Sequence, residues 1–278
     1  MRLLLTGGSG YLGQHLLALA TEWDVLSTYH TRPFTPAHGA AIPLNLEDKA
    51  AVHAVVENFR PAVIVHTACS NRNADHIRAI VPAARHLAQA AHASGARLVH
   101  LSTDSIWNGE DAPYTDDSPP TPLNEYGRAK AEAETVVRAL CPNAVIGRPS
   151  LIWGLGPIDH QTRWLVEGAH SGARVTLFTD EWRNPVYAPD LARAVLELAA
   201  RPEITGTLNL VGAQPLNRWE FGTRLLNALK LPIPPNVVPL TIAESGLVRA
   251  RNVTALAHRA KRELQTQLRG VDEVLRET

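Results

Sequence analysis

Tyr126 and Lys130, in the run YGRAK, are the first residues whose types and spacing suggest chemistry. Four positions apart on a helix, they lie on one face. A free tyrosine titrates near pH ~10. An ammonium beside it favours the phenolate, which makes such a tyrosine a proton donor or acceptor near neutrality. Upstream, Ser102 and Thr103 follow the apolar run RLVHL, where a hydroxyl is placed to hydrogen-bond a substrate carbonyl. Taken alone, YxxxK is also compatible with two ordinary helix residues.

A second constellation supplies the partner chemistry. TGGSGYLGQHL sets Gly7, Gly10 and Gly13 directly after an apolar strand and at the start of a helix. Gly7 permits a tight turn, Gly10 lets backbone approach a phosphate, and Gly13 lets helix and strand pack closely. The helix N-terminus then faces a pyrophosphate. Ser9, Tyr11 and Leu12 complete this expected cofactor-binding turn, Tyr11 more by packing than by chemistry. Lys130 is also placed to hold a nicotinamide ribose. An NAD-selective protein usually carries an acid at the end of its second strand. Here that end reads LSTYHTR. Thr28, His30 and Arg32 lie where a 2′-phosphate is bound, so NADP(H) is favoured and NAD(H) is the alternative. Arg32 is also readable as a solvated loop residue.

These groups need a frame. Strands are expected at 2–6, 25–28, 62–67, 97–101 and 144–148. They alternate with helices at 11–20, 46–58, 74–93 and 124–139, with Pro82 kinking the third helix and Asn124 capping the fourth. Short apolar strands between amphipathic helices define an α/β fold, a doubly wound parallel sheet of Rossmann type. Later, a helical piece at 162–170 and a short strand at 174–178 precede a helix at 188–200 and a strand at 207–211. Residues 213–278 read as mostly helical, with proline-rich loops at 231–239. The expected division is a dinucleotide-binding domain at 1–148, with 185–211 returning to it. A smaller, mostly helical substrate-binding domain would comprise 149–184 and 212–278, over the carboxyl edge of the sheet.

Composition narrows the classes. The 278 residues are 45% hydrophobic and 19% charged with zero formal net charge, which fits a compact globule and gives no basic footprint for nucleic acid. No apolar stretch spans a bilayer, and the N-terminal apolar run is too short for a signal peptide. Cys69 and Cys141 form no CxxC, and the 12 histidines show no ligand spacing. No metal is expected, Cys69 reads as a buried inert thiol, and a reducing cytoplasm fits.

The chain resembles the extended short-chain dehydrogenase/reductases, and within them the dTDP-4-dehydrorhamnose reductases. The likeness covers nearly the whole sequence. It is carried by LLLTGGSGYLG, HTA at 66–68, GARLVHLSTDSIWNG, PYTDDSPPTPLNEYGRAKAEAE, GRPSLIWG, RNPVYAPDLARAV and RNVTALAHRA. The resemblance implies reduction of a keto group on a nucleotide-linked sugar. Thr103 and Asp104 would assist at the carbonyl, with Tyr126 as the acid and Lys130 as its partner. Asn45 and Leu46 would lie on the adenine side, Ala68 and Pro149 would flank the cofactor, and Ser150, Trp153 and Arg183 would contact substrate. For Arg183 a helix-anchoring surface role is an equal alternative. A homodimer is implied too.

Three positions depart from the family pattern. Ser105 stands where it usually has tyrosine, Ile80 or Val81 where asparagine is common, and Asn45 where an acid is usual. A sugar-nucleotide dehydratase or epimerase is a second enzyme reading; the 4,6-dehydratases are similar but carry Thr-Asp-Glu, and Ser105 replaces that glutamate, which disfavours dehydration. The methionine adenosyltransferase regulatory subunit is similar across the same motifs and supplies a non-catalytic NADP-binding alternative.

Overall fold

The computed structural model describes residues 1–68 and 73–277. Cys69 lies outside them. Seven parallel strands form the main sheet in the order β11-β6-β5-β4-β1-β2-β3. They are β1 (Arg2–Thr6), β2 (Asp24–Tyr29), β3 (Ala40–Pro43), β4 (Val63–His66), β5 (Arg97–Leu101), β6 (Val145–Pro149) and β11 (Gly206–Leu210). Four helices connect the first strands: α1 (Tyr11–Leu19), α2 (Lys49–Phe59), α4 (Ile80–Ser94) and α5 (Glu125–Leu140), with a short α3 (Ala74–Arg78) before α4. A later helix, α7 (Ala188–Ala200), returns the chain to β11.

Strand alternation explains the layers, because adjacent residues face opposite sides. Leu3, Leu5, Val63, Val65 and Val99 pack with Leu16 of α1 and with Leu191 and Val195 of α7. Their neighbours Leu4, Ile64, Leu98 and Ile146 pack with Val52, Leu87 and Val137 of α2, α4 and α5. Strand order reverses between β1 and β4, and ligands of such sheets bind beyond the strand ends at that point.

The structure corrects several local expectations. The helix expected over 74–93 is broken at Ala79, whose backbone both ends α3 and opens α4. Pro82 sits in the first turn of α4, where its missing N–H costs nothing, so it does not kink the helix. The edge strand β3 had no clear sequence signal, since AAIP is short and half-exposed.

Around the carboxyl edge lie three small two-stranded pairs. β7 (Ile152–Trp153) pairs with β10 (Val186–Tyr187), β9 (Trp182–Arg183) with β12 (Leu216–Asn217), and β8 (Val175–Phe178) with β13 (Val237–Leu240). β13 begins inside the stretch expected to be a proline-rich loop. Helices α6 (His160–Ser171) and α8 (Arg218–Ala228) pack with β8 and β13 around Trp153, Leu165, Leu177, Phe221 and Leu225. The short helices α9 (Ile242–Ser245), α10 (His258–Glu263) and α11 (Val271–Arg276) complete the chain. Val253, Ala255, Ala257, Ala260 and Leu264 rejoin the main-sheet core rather than the smaller one. Among the described residues no helix is long and apolar enough to cross a membrane.

Candidate active site

A cavity of about 860 Å³ opens over the carboxyl ends of the strands and joins the glycine turn to Thr103, Tyr126, Ser150 and Arg183. On the β1–α1 side, Gly7 adopts φ +80°, a region that L side chains rarely adopt. A Cβ on Gly7 would come within 2.8 Å of the Ala68 backbone nitrogen, and one on Gly13 within 2.2 Å of the Gly7 carbonyl. Gly10 caps α1 without a side chain, which leaves the first N–H groups of the helix for an anion. The residues present therefore fit a dinucleotide pyrophosphate.

Opposite the turn stand the groups expected to handle protons. The Asn124 side chain accepts from Gly127 N at 2.8 Å and caps α5, as its sequence predicts, which fixes Tyr126 in the first helical turn. Lys130, one turn on, is 1% exposed, and its Nζ donates to the Leu101 carbonyl at 2.5 Å. Thr103 begins a 3₁₀ turn over Asp104–Ile106, and its Oγ1 accepts from Ser105 N at 3.2 Å. With that lone pair taken, the hydroxyl proton is directed elsewhere, to the Asp104 carboxylate at 3.5 Å or to a carbonyl in the cavity. Gly127 is what lets the two halves meet, because a Cβ there would sit 2.2 Å from the Ser105 carbonyl. Sequence reading gave Gly127 no role.

Asp104 lines the same cavity as Thr103, and both of its carboxylate oxygens are engaged. One oxygen accepts from Arg183 at 2.8 Å and the other from Ser150 Oγ at 2.6 Å. The carboxylate is 3% exposed and binds β5, β6 and β9 together. Arg183 also lies 3.4 Å from Glu181, and Glu181 accepts from Arg249 at 2.6 Å. Burial would depress the Arg183 guanidinium, but the Asp104 and Glu181 charges raise it above its ordinary value. Burial likewise opposes ionisation of Glu181, yet the Arg249 hydrogen bond and the nearby guanidinia hold it below the usual carboxylate range.

Arg218, the first residue of α8, faces the same cavity. Among the described residues it has no carboxylate within ion-pair distance, and its hydrogen bond goes to Gln161 Oε1 at 2.6 Å. Burial lowers its affinity for a proton; Glu181 works against this, and Arg183 and Arg249 add to it. Three guanidinia thus surround two carboxylates, an arrangement suited to an anionic group. Sequence reading found Arg183 but missed Arg218, Arg249 and Glu181.

The remaining expected residues divide. Gly7, Gly10, Tyr11, Leu12, Gly13, Pro149 and Ser150 line the cavity. Tyr11 donates to the Pro157 carbonyl at 2.8 Å, and burial with the Asp159 charge raises its pKa, so it ties the turn to the next region rather than moving protons. Trp153 is not brought to the cavity. It is buried against Tyr187 and Phe221, with ring centroids at 5.2 and 5.8 Å. Ser9, Arg32 and Asn45 are exposed and Leu46 is half-buried, all outside the cavity lining. Thr28 is buried, which leaves His30 and Arg32 as the exposed groups after β2. Cys141 is a buried free thiol, raised by burial. No group of residues suited to a metal ion occurs among those described.

Comparison with known proteins shows the chain's family. The chain is 31% identical over 277 residues to a Streptomyces niveus dTDP-4-keto-6-deoxy-D-glucose reductase, covering 94% of this chain and 90% of that one. It is 28% identical to the zebrafish (Danio rerio) methionine adenosyltransferase 2 subunit beta, covering 95% and 84%. A Bacillus anthracis dTDP-4-dehydrorhamnose reductase solved in complex with NADP shares the fold at a TM-score of 0.83 and 22% identity, over 99% of this chain and 97% of that one. The family model described as the RmlD substrate binding domain matches residues 1–276. With its glycine turn, Tyr-Lys helix and arginine-lined cleft on that match, the chain belongs to the RmlD substrate-binding domain family.

Proposed function

We propose that this protein is an NAD(P)H-dependent reductase of a keto group on a nucleotide-linked sugar. The observation that carries the reading is that one cavity joins the glycine turn, Thr103, Tyr126 and the arginine cluster. When bound, the reduced nicotinamide supplies a hydride to the carbonyl carbon. Tyr126 gives a proton to the carbonyl oxygen while the Thr103 hydroxyl donates to it. Lys130, held by the Leu101 carbonyl, favours the tyrosinate left behind. Arg183, Arg218 and Arg249 face the sugar's diphosphate. Asp104, bound by Arg183 and Ser150, positions rather than transfers protons.

NADP(H) is the favoured cofactor because His30 and Arg32 stand exposed after β2 and no acid replaces them. Support for the reductase reading includes the Streptomyces relative's activity; the zebrafish relative favours a second, regulatory reading. Loss of NADPH absorbance with a panel of 4-keto nucleotide sugars separates the two. Tyr126→Phe is expected to lower kcat by about 10²–10⁴-fold, the usual scale for a lost general acid, with NADPH affinity kept. Tight NADPH binding with no keto compound reduced would support the regulatory reading, and equal affinity for NADH and NADPH would remove the cofactor preference.

A further inference from the structure

Asp180 and Glu181 are adjacent acids whose side chains diverge at the start of β9. Asp180 accepts from Ile242 N at 2.8 Å, lies 3.7 Å from Arg251 and stands outside the cavity lining. Glu181 lines the cavity and is 2% exposed. Its carboxylate accepts from Arg249 Nε at 2.6 Å and lies 3.4 Å from Arg183 Nη2. Its carbonyl accepts from Arg218 N at 3.1 Å. One residue therefore touches all three arginines of the cleft, two by charge and the third through the main chain.

Main-chain bonds hold this carboxylate in place. Trp182 N donates to the Arg251 carbonyl at 2.7 Å, and Val253 N to the Trp182 carbonyl at 3.1 Å. Trp182 also pairs with Asn217, the residue before Arg218. Segments 180–183, 216–218 and 249–253 thus meet at Glu181. Arg249 uses Nε for its bond to Glu181, which leaves its two terminal NH₂ groups for a ligand. Arg218 likewise uses one terminal nitrogen, on Gln161 Oε1.

A buried carboxylate beside an anion-binding cluster weakens the binding of any anion, the more so as the anion's charge grows. Burial opposes the Glu181 charge, yet the guanidinia hold it ionised at neutral pH. A phosphate with a free end carries about −1.5 to −2 charges at pH 7, whereas one linked on both sides carries a single charge. The extra charge of a free end would share the cleft with Glu181, where little water screens the repulsion.

We propose that Glu181 is a specificity-determining residue of the arginine cleft. It sets the three guanidinia in place, and its charge makes the cleft select a diphosphate esterified at both ends over one with a free phosphate end. The choice of a diphosphate rests on the reductase reading; the titration that tests the selection needs no turnover.

Calorimetric titration of the NADPH-bound protein compares dTDP, its β-methyl ester and inorganic pyrophosphate. The ester removes the free end without adding a sugar. Wild type is expected to bind the ester about tenfold more tightly than dTDP, the scale of one partly screened like-charge contact. Glu181→Gln keeps the side chain's size and one acceptor oxygen for Arg249. It should tighten dTDP and pyrophosphate about tenfold more than the ester, so that the preference closes. A glutamate that only tethers the arginines predicts the opposite, a parallel weakening of all three probes. That weakening, an unchanged preference in Glu181→Gln, or a wild type that binds dTDP as tightly as its ester overturns the proposal. So does a wild type that binds none of the probes. Where the variant fails to fold, the comparison of dTDP with its ester on wild type decides alone. Titrations as expected without any keto reduction would remove the reductase reading and keep this selection; keto reduction without the preference would remove the selection alone.

Discussion

Arg148→Met tests how the loop between Thr103 and Tyr126 is held. Arg148, on β6, is 2% exposed; its Nε and one NH₂ nitrogen donate to Glu134 of α5 at 2.9 and 2.8 Å. Its other terminal nitrogen donates to the Asp116 and Ser118 carbonyls, each at 3.2 Å. The guanidinium also lies 5.4 Å from the Trp107 ring, which stacks on Tyr114 at 4.5 Å. One side chain therefore binds the sheet, the Tyr-Lys helix and the loop. Methionine leaves Glu134 fully buried with the half-exposed Arg138 at 2.6 Å as its remaining ion-pair partner among the described residues. Removing one partner of a buried pair costs ~3–5 kcal/mol, and each of the two carbonyls loses a bond worth ~1 kcal/mol. Retained pairing with Arg138 offsets part of this, for a net loss of about 4 kcal/mol.

For a chain of this size each kcal/mol moves the thermal midpoint by ~2–3 °C, so a fall of about 8–12 °C is expected by calorimetry. The pH dependence has a definite sign. Burial would raise the Glu134 pKa, but the Arg148 hydrogen bonds and charge lower it below 4.5. The pair therefore stabilises the fold above the unfolded-state pKa, and that contribution is lost as pH falls through the folded one. The gap between wild type and Arg148→Met should accordingly narrow below pH ~4.5. Adding Glu134→Leu to Arg148→Met should recover stability, since an apolar pair is often no worse than a buried ion pair. A midpoint lowered by less than about 2 °C, or a double variant no more stable than the single, refutes this account of the loop.

Two further outcomes concern the cleft. Arg218→Leu is expected to raise KM for a nucleotide sugar about tenfold, the scale of one charge-assisted hydrogen bond, with NADPH affinity unchanged in titration; a fall in kcat at constant KM would contradict its place at the diphosphate. Gly127→Ala puts a carbon 2.2 Å from the Ser105 carbonyl and must part α5 from the Thr103 turn. Its kcat should drop at least tenfold, about 1.4 kcal/mol of transition-state stabilisation, while NADPH binding holds, and normal turnover would show that the two elements need not touch.

What could be read in the sequence follows from the range of each interaction. The glycine turn and the Tyr126–Lys130 pair are local, since a turn and a helix period fix their geometry within a few residues. The strands β1, β4, β5 and β6 were equally legible, because burial on both faces leaves near-continuous apolar runs. β3 and β13 were not, because half-exposed edge strands of four residues carry neither such a run nor a turn signature.

The charge cluster was illegible for a deeper reason. Asp104, Glu181, Arg183, Arg218 and Arg249 come from four separate segments. β9 pairs antiparallel with β12, with Arg183 opposite Leu216, and this brings Arg183 beside the start of α8. Trp182 N bonded to the Arg251 carbonyl then brings in Arg249. No residue type announces that register. Without it Arg183 reads as a surface arginine and Asp104 as a free carboxylate, yet the 2.8 Å contact between them reassigns both. A carboxylate whose two oxygens accept from Arg183 and Ser150 is held in place by both. In the proposed reaction the chemistry at the carbonyl would fall to hydroxyl groups, Thr103 from the sheet and Tyr126 from the helix. Asp104 sets where the first of these stands.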